Sequence, residues 1–225
     1  MLVKNWMSKP AITIDVEDSM NDAIKLLKKH DIKMLPVMKK GKLCGIVTDR
    51  DIKRASASEA TSLEIHELLY LISNIKLKDI MTKNPITIPF DYTIEETAEI
   101  LLKHKISGAP VIGQYGDVLG AITQNDIFRV IISLTGSERK GIQFGLEVED
   151  RAGSVKEVVD TIREYGGRMA SILTSYDLSP KGFRRVYIRM YGIDRFKLNN
   201  LKEALRKKAT LLYMVDRREI SRETY

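Results

Sequence analysis

A chain of 225 residues, 44% hydrophobic and 30% charged, is long enough to bury more than one core. It has no run of about 18 apolar residues to cross a bilayer, and its opening MLVKNWMSKPAITID lacks the apolar stretch of a secretory signal. Cys44 is the only cysteine, which excludes internal disulfides and CxxC metal sites, and a cytoplasmic, reducing location is expected. The net charge of +7 is uneven: residues 1–137 hold 18 Lys and Arg against 17 Asp and Glu, whereas residues 138–225 hold 19 against 13. The basic excess in the last third suits either an anionic partner or a solvated cationic face.

Taken from the N-terminus, the chain repeats itself. Residues 3–37 laid over 77–111 agree at 12 of 35 positions. One extra residue in IGQYGDVLG relative to MKKGKLCG then brings GIVTDRDIKR (45–54) onto GAITQNDIFR (120–129) with five identities. Solenoid units repeat every 20 to 50 residues or so, and this period is longer, so a duplicated module is expected. Each copy opens on a short β-branched run, Ala11-Ile12-Thr13-Ile14 or Pro85-Ile86-Thr87-Ile88. A capping box follows, Ser19 with Asp22 and Thr93 with Glu96, before helices with apolar residues at spacings of three and four. A strand holding Pro36-Val37 or Pro110-Val111, a glycine turn and a second strand (43–47; 118–122) lead into Thr-x-x-Asp, which opens another helix. The order is β-α-β-β-α twice, over 1–75 with a joining amphipathic helix near 62–73, and over 76–137. His30 and His104 fall at helix C-termini, where a polar or cationic residue suits the dipole. Trp6, Met7 and Met81 read as packing residues, and Cys44 as an inert thiol.

Thr48-x-x-Asp51 and Thr123-x-x-Asp126 admit two readings. They cap helices, or they hold a ligand: a helix N-terminus favours anions, a threonine hydroxyl donates to phosphate or ribose oxygen, and a carboxylate accepts from a ribose diol. Arg54 and Arg129, three residues further on, would add phosphate contacts. Spacing alone leaves both readings open.

MSKPAIT…LPV…GIVTDRD and MTKNPIT…APV…GAITQND resemble the paired cystathionine-β-synthase (CBS) motifs of a Bateman module, over residues 3–135. The resemblance implies two clefts for adenosine-containing ligands, here AMP, ADP or ATP acting as a regulatory ligand rather than a catalytic cofactor. Carried over by position, it assigns Thr48, Asp51, Thr123 and Asp126 to ribose or phosphate. It places Lys9, Ala11, Thr13, Met34 and Pro36, with Lys83, Pro85, Thr87, Gly108 and Pro110, along the adenine pockets. The stretch RASASEATSLEIHEL is similar to that of the acetoin-utilisation B subgroup, making Ser56, Ser58 and Thr61 phosphate neighbours.

In residues 138–225, IQFGLEV turns Ile142, Phe144, Leu146 and Val148 inward, and the next segment sets Val155, Val158, Val159, Ile162 and Tyr165 on one helical face. Strands over 168–178 and 183–193, a helix over 194–209 and a closing strand TLLYMVD complete a ferredoxin-like βαββαβ order. EVEDRAGSVKEVVDTIREYGGRM resembles the opening of an ACT domain, which implies a small amino-acid-like ligand beside Asp150, Arg151 and Gly153, or dimerisation alone. Ala152 replaces that family's usual proline. The whole is thus an α/β (α+β) chain of two CBS modules and an ACT domain, expected as a homodimer without a membrane segment. The alternative is RNA binding, since KGFRRVYI (181–188) partly matches the RNA-recognition strand; Arg185 and Ile188 replace two of its aromatics. No catalytic triad, phosphate-binding loop or metal cluster is legible, so no enzyme is expected.

Overall fold

The first copy runs β1 (Ile14–Asp15), α1 (Met20–His30), β2 (Met34–Lys39), β3 (Lys42–Thr48) and α2 (Asp49–Glu59). The second follows with α3 (Leu77–Ile80), β4 (Thr82–Lys83), β5 (Ile88–Pro89), α4 (Ile94–His104), β6 (Gly108–Ile112), β7 (Val118–Thr123) and α5 (Gln124–Leu134). This is a computed structural model that describes residues 1–59 and 74–225; the expected joining helix near 62–73, Thr61 and the side chain of Ser58 lie outside it. The described residues form two compact units, Met1–Phe128 and Arg129–Tyr225.

Both capping boxes close as their sequences imply. Ser19 Oγ accepts from the Asp22 N–H at 3.2 Å while an Asp22 oxygen accepts from the Ser19 N–H at 3.3 Å, and Thr93 and Glu96 do the same at 3.1 and 2.8 Å. Each satisfies two amide donors that the first helical turn leaves without partners. His30 and His104 end their helices, and the residues after them, Asp31 and Lys105, take left-handed φ values near 50° that close the last turns. In each copy a parallel pair (Ile14 with Val37; Ile88 with Val111) joins an antiparallel one (β2 with β3; β6 with β7), each antiparallel pair carrying one bulge. The opening β-branched runs differ from expectation. Only Ile14–Asp15 and Ile88–Pro89 pair as strands, because residues 11–13 and 85–87 cross between sheets instead of joining one.

That crossing reflects a reciprocal exchange. Leu2 bridges Thr93 and Lys76 bridges Ser19; Val3 N–H donates to Tyr92 and Leu77 N–H to Asp18; Ser8 bridges Ala121, while Thr82 and Lys83 pair with Ile46 and Gly45. The leading segment of each copy is thus hydrogen-bonded to the other, which makes the pair one folding unit. One core of this unit joins Ile14, Met20, Leu27, Leu35, Val37, Val47 and Leu77, so the second copy contributes its Leu77 to the first copy's interior.

The second unit contains β8 (Ile142–Glu149), α6 (Ser154–Glu164), β9 (Arg168–Ser175), β10 (Phe183–Tyr191), α7 (Leu198–Arg206), β11 (Thr210–Asp216) and β12 (Ser221–Thr224). The sheet order is β12-β11-β8-β10-β9, antiparallel throughout. Ile142, Phe144, Leu146 and Val148 face α6 and α7, whose Val158, Ile162, Leu201 and Leu205 are buried against them. Val155, Val159 and Tyr165 pack on the same core. The closing strand is not the last: after Asp216 the chain turns back and β12 adds a fifth strand at the edge. The expected helix over 194–209 begins as one 3-10 turn, Arg195–Lys197, started by Asp194 Oδ1 accepting the Phe196 N–H.

Candidate functional site

The two Thr-x-x-Asp turns adopt the same geometry. Asp51 Oδ2 accepts from the Thr48 hydroxyl at 2.7 Å and from its N–H at 3.0 Å, and Thr48 Oγ1 accepts in return from the Asp51 N–H at 3.3 Å. In the second copy the matching distances are 2.7, 2.8 and 3.4 Å. The capping reading is therefore realised in both. Asp51 and Asp126 are 8% and 1% exposed, and these bonds fix their orientation at the helix starts. In both, Oδ2 carries the cap. In the first copy Oδ1 accepts from Arg54 at 2.8 Å, so three of the roughly four lone-pair positions of Asp51 are engaged. Arg54 is exposed while Asp51 is buried, so the ion pair is reached by solvent from the arginine side only. Arg129 occupies the equivalent, exposed position one turn along α5.

Strand register gathers most of the remaining expected residues. Met34 lies directly opposite Thr48 and Gly108 opposite Thr123; Pro36 is opposite Ile46 and Pro110 opposite Ala121. Thr13 and Thr87 immediately precede Ile14 and Ile88, which pair with Val37 and Val111. Lys9 and Lys83 depart from this grouping. Lys83 pairs with Gly45, and Lys9 follows Ser8 on Ala121, so each is carried by the other copy's sheet. Ala11 and Pro85, both half-buried, lie on the crossing segments between. Pro36 and Pro110 are themselves buried and shape the strands rather than offering surface. The two sites differ at two positions, and at the first of them Ala11 stands opposite Pro85. Met34 stands where the second copy has Gly108, packed so closely on β7 that an added Cβ would lie 3.0 Å from the Ile122 carbonyl oxygen and 3.1 Å from Thr123 Cγ2. Ser56 Oγ donates to the Ile52 carbonyl at 2.9 Å, within its own helix. Cys44 donates to the Val37 carbonyl at 3.3 Å, and burial pushes its thiol pKa up, keeping it protonated.

In the second unit, Asp150, Arg151 and Gly153 form the turn between β8 and α6. Gly153 caps the helix with φ 87°, a conformation that glycine adopts without strain. Arg151 is held by Glu157 through two bonds, at 2.7 and 2.8 Å, and by Glu149 at 2.9 Å, so its guanidinium is engaged rather than presented. Beside it lies a cavity of about 350 Å³, lined partly by Glu149, Ser154, Phe183, Lys207, Lys208 and Thr210. Lys207 and Lys208 were invisible to motif reading because the end of α7 is far away in sequence. The bonds from Arg151 hold the Glu157 carboxyl below the usual range. A depressed folded-state pKa contributes stability above the unfolded value of about 4.3 and loses it as pH falls through the folded one. Glu157→Gln should therefore lower the urea midpoint at pH 7, and the gap from the parent should close as the solution is acidified below the ordinary carboxylate range.

The face of this sheet away from the helices bears on the RNA reading. Arg189 donates through Nε to the Thr135 carbonyl at 2.8 Å, and Ser171 Oγ donates to the same oxygen at 2.9 Å. The residue after α5 thus lies against the edge strand β9 and the later part of β10, on the surface where bases would have to stack, and Arg185 stands where an aromatic ring is needed.

A model of the CBS domain matches residues 3–58 and 77–133. An inosine-5'-monophosphate dehydrogenase of Korarchaeum cryptofilum is 34% identical over 56% of this chain. A CBS domain-containing protein of Dictyostelium discoideum is 32% identical over 60% of this chain and 93% of its own length. The chain spans only 23% of the dehydrogenase, so the likeness does not extend to that enzyme as a whole. Among solved structures, the CBS domain pair of protein MJ0100, in complex with 5'-methylthioadenosine and S-adenosyl-L-methionine, shares 36% identity. Its TM-score is 0.50, over 58% of this chain and 99% of that one.

Proposed function

The chain belongs to the CBS domain family, and from that premise we propose that its first unit is a regulatory sensor of an adenosine-containing ligand, AMP, ADP or ATP among them. The observation that carries this is the doubled turn: two ordered carboxylates, each at a helix start and each beside the same strand positions of its sheet. The ligands of the MJ0100 pair, at 36% identity, support an adenosine class. A ribose diol would take Asp51 Oδ1 by displacing Arg54, and Arg54 would then be released toward phosphate.

The second unit, in this reading, is an ACT-like domain of the acetoin-utilisation B kind that dimerises the chain and takes an amino-acid-like ligand. Its β8–α6 turn and the cavity beside it support this, with Lys207 and Lys208 rather than the engaged Arg151 receiving the ligand's carboxylate. The proposed domain division is 1–75, 76–137 and 138–225, and the proposed setting is a cytoplasmic homodimer that regulates another protein and catalyses nothing itself.

Calorimetric titration of ligand-stripped protein with 5'-methylthioadenosine, AMP and ATP tests the sensor. Asp51→Asn and Asp126→Asn keep much of the cap and remove the charge, so each should weaken its own cleft about tenfold, as loss of a charged hydrogen bond requires. Arg54→Ala should weaken AMP and ATP while sparing 5'-methylthioadenosine, which has no phosphate. No heat from any of the three at millimolar concentration would refute the sensor reading.

A further inference from the structure

At the end of the second unit's sheet away from the Asp150–Gly153 turn, three adjacent strands finish together. Ile142 at the start of β8 pairs with Met190 near the end of β10 and with Asp216 at the end of β11, and the Arg217 N–H donates to the Gly141 carbonyl at 3.2 Å. Beside them lies an open pocket of about 260 Å³ whose lining includes Lys140, Gly141, Tyr191, Gly192, Arg195 and Arg218. Gly141 is required here, because a Cβ would collide with the Met190 carbonyl.

The residues lining the cavity include three cations and no carboxylate. Asp216, paired with Ile142 at the end of β11, is buried and committed. It takes the Arg195 guanidinium together with the N–H groups of Arg218 at 3.0 Å and Glu219 at 3.3 Å. Arg195 is thereby oriented, while Asp216 has little capacity left for Lys140 or the Arg218 side chain. Glu138, Asp194 and Glu219 lie in the same loops but outside the lining, and Asp194 is already bound to the Phe196 N–H at 3.1 Å. The rim adds positive charge. Arg139 sits 5.0 Å over the Tyr191 ring, and Arg217 donates to Ser137 Oγ and its carbonyl at 2.6 and 2.7 Å.

We infer that this cavity binds a small phosphorylated anion. Lysine and arginine offer donors only and phosphoryl oxygens are acceptors, so the chemistry matches without a proton transfer. The volume lies just below the usual range for small-molecule pockets, which suits a ligand of pyrophosphate size rather than a nucleotide. The site is separate from the two Thr-x-x-Asp turns and from the β8–α6 turn, and it stands or falls independently of the sensor reading.

The test is a titration of the full chain with pyrophosphate, followed by calorimetry and by amide shifts of 15N-labelled protein. Binding on the order of 1 mM or tighter is expected, with shifts centred on Gly141, Gly192 and Arg218. Lys140→Ala and Arg218→Ala, both at exposed positions, should each weaken it about tenfold at unchanged thermal midpoint. Arg195 is left intact, because its loss would strand a buried carboxylate. Inorganic phosphate should bind more weakly at the same amides. Shifts confined to the Thr48 and Thr123 turns, or unchanged affinity in the Lys140→Ala, Arg218→Ala double variant, would overturn the inference. So would a single-stranded RNA that displaces pyrophosphate far more strongly per phosphate than a free phosphorylated compound does.

Discussion

Gly120→Ala should destabilise the first unit by about 2–3 kcal/mol, a large effect for one added methyl group. Gly120 is buried in β7, and a Cβ there would run into the carbonyl oxygen of Ser8, with the Met7 sulfur at 3.2 Å. Ser8 cannot yield cheaply, since its N–H donates to the Ala121 carbonyl at 2.9 Å and its carbonyl accepts from the Ala121 N–H at 3.1 Å. The equivalent glycine of the first copy, Gly45, meets the Met81 sulfur first, the end of a flexible side chain, with the Thr82 carbonyl at 3.0 Å. Gly45→Ala should therefore cost only about 1 kcal/mol, because methionine adapts to a change of shape. Urea denaturation of both variants decides the matter: equal losses would mean that the leading segments are not anchored as described. Gly120→Ala should also weaken ligand binding, because the displaced segment continues directly into Lys9, Ala11 and Thr13.

The reasons why some of this was legible in the sequence are local ones. Capping boxes, hairpin glycines and the inward alternation of Ile142, Phe144, Leu146 and Val148 are written in neighbouring residues, and the structure keeps all of them. The duplication showed that there were two like modules. It could not show that residues 1–9 serve the second copy while residues 75–83 serve the first, because two-residue strands and single bridges leave no periodicity to read. β12 was missed for a related reason: an edge strand of four residues, SRET, has only a weak alternation and no apolar face. At the Thr-x-x-Asp turns the structure realises the cap, and the cap is compatible with the proposed ligand role rather than opposed to it. The cap occupies one carboxylate oxygen and thereby aims the other.

Arg189→Ala should cost the second unit about 2–3 kcal/mol, the loss expected when charge-assisted hydrogen bonds to buried groups disappear. In sequence, Arg189 alternates with Ile188 and Met190 and so reads as a solvent-facing residue of β10. It is 6% exposed instead. Its Nε donates to the Thr135 carbonyl and its Nη2 to Gln143 Oε1, both at 2.8 Å, and Gln143 in turn donates to the Tyr213 hydroxyl at 3.3 Å. Burial lowers its pKa, and the nearby Arg217 lowers it further, so this cation is held by neutral acceptors rather than by an opposing charge. Its Nη1 is buried without an acceptor. Such a site gains little from the charge itself, and a well-packed apolar replacement of buried ionic groups is often nearly neutral. Arg189→Met should accordingly recover roughly half of the alanine loss, by filling the space without the orphaned donor. Arg189→Lys should recover less, because an ammonium cannot reach two acceptors in the fork geometry of a guanidinium. Guanidinium chloride unfolding of the three variants, followed by tyrosine fluorescence, gives the order. If lysine outperformed methionine, the charge rather than the shape and the fork would be what fastens the end of α5 to this sheet.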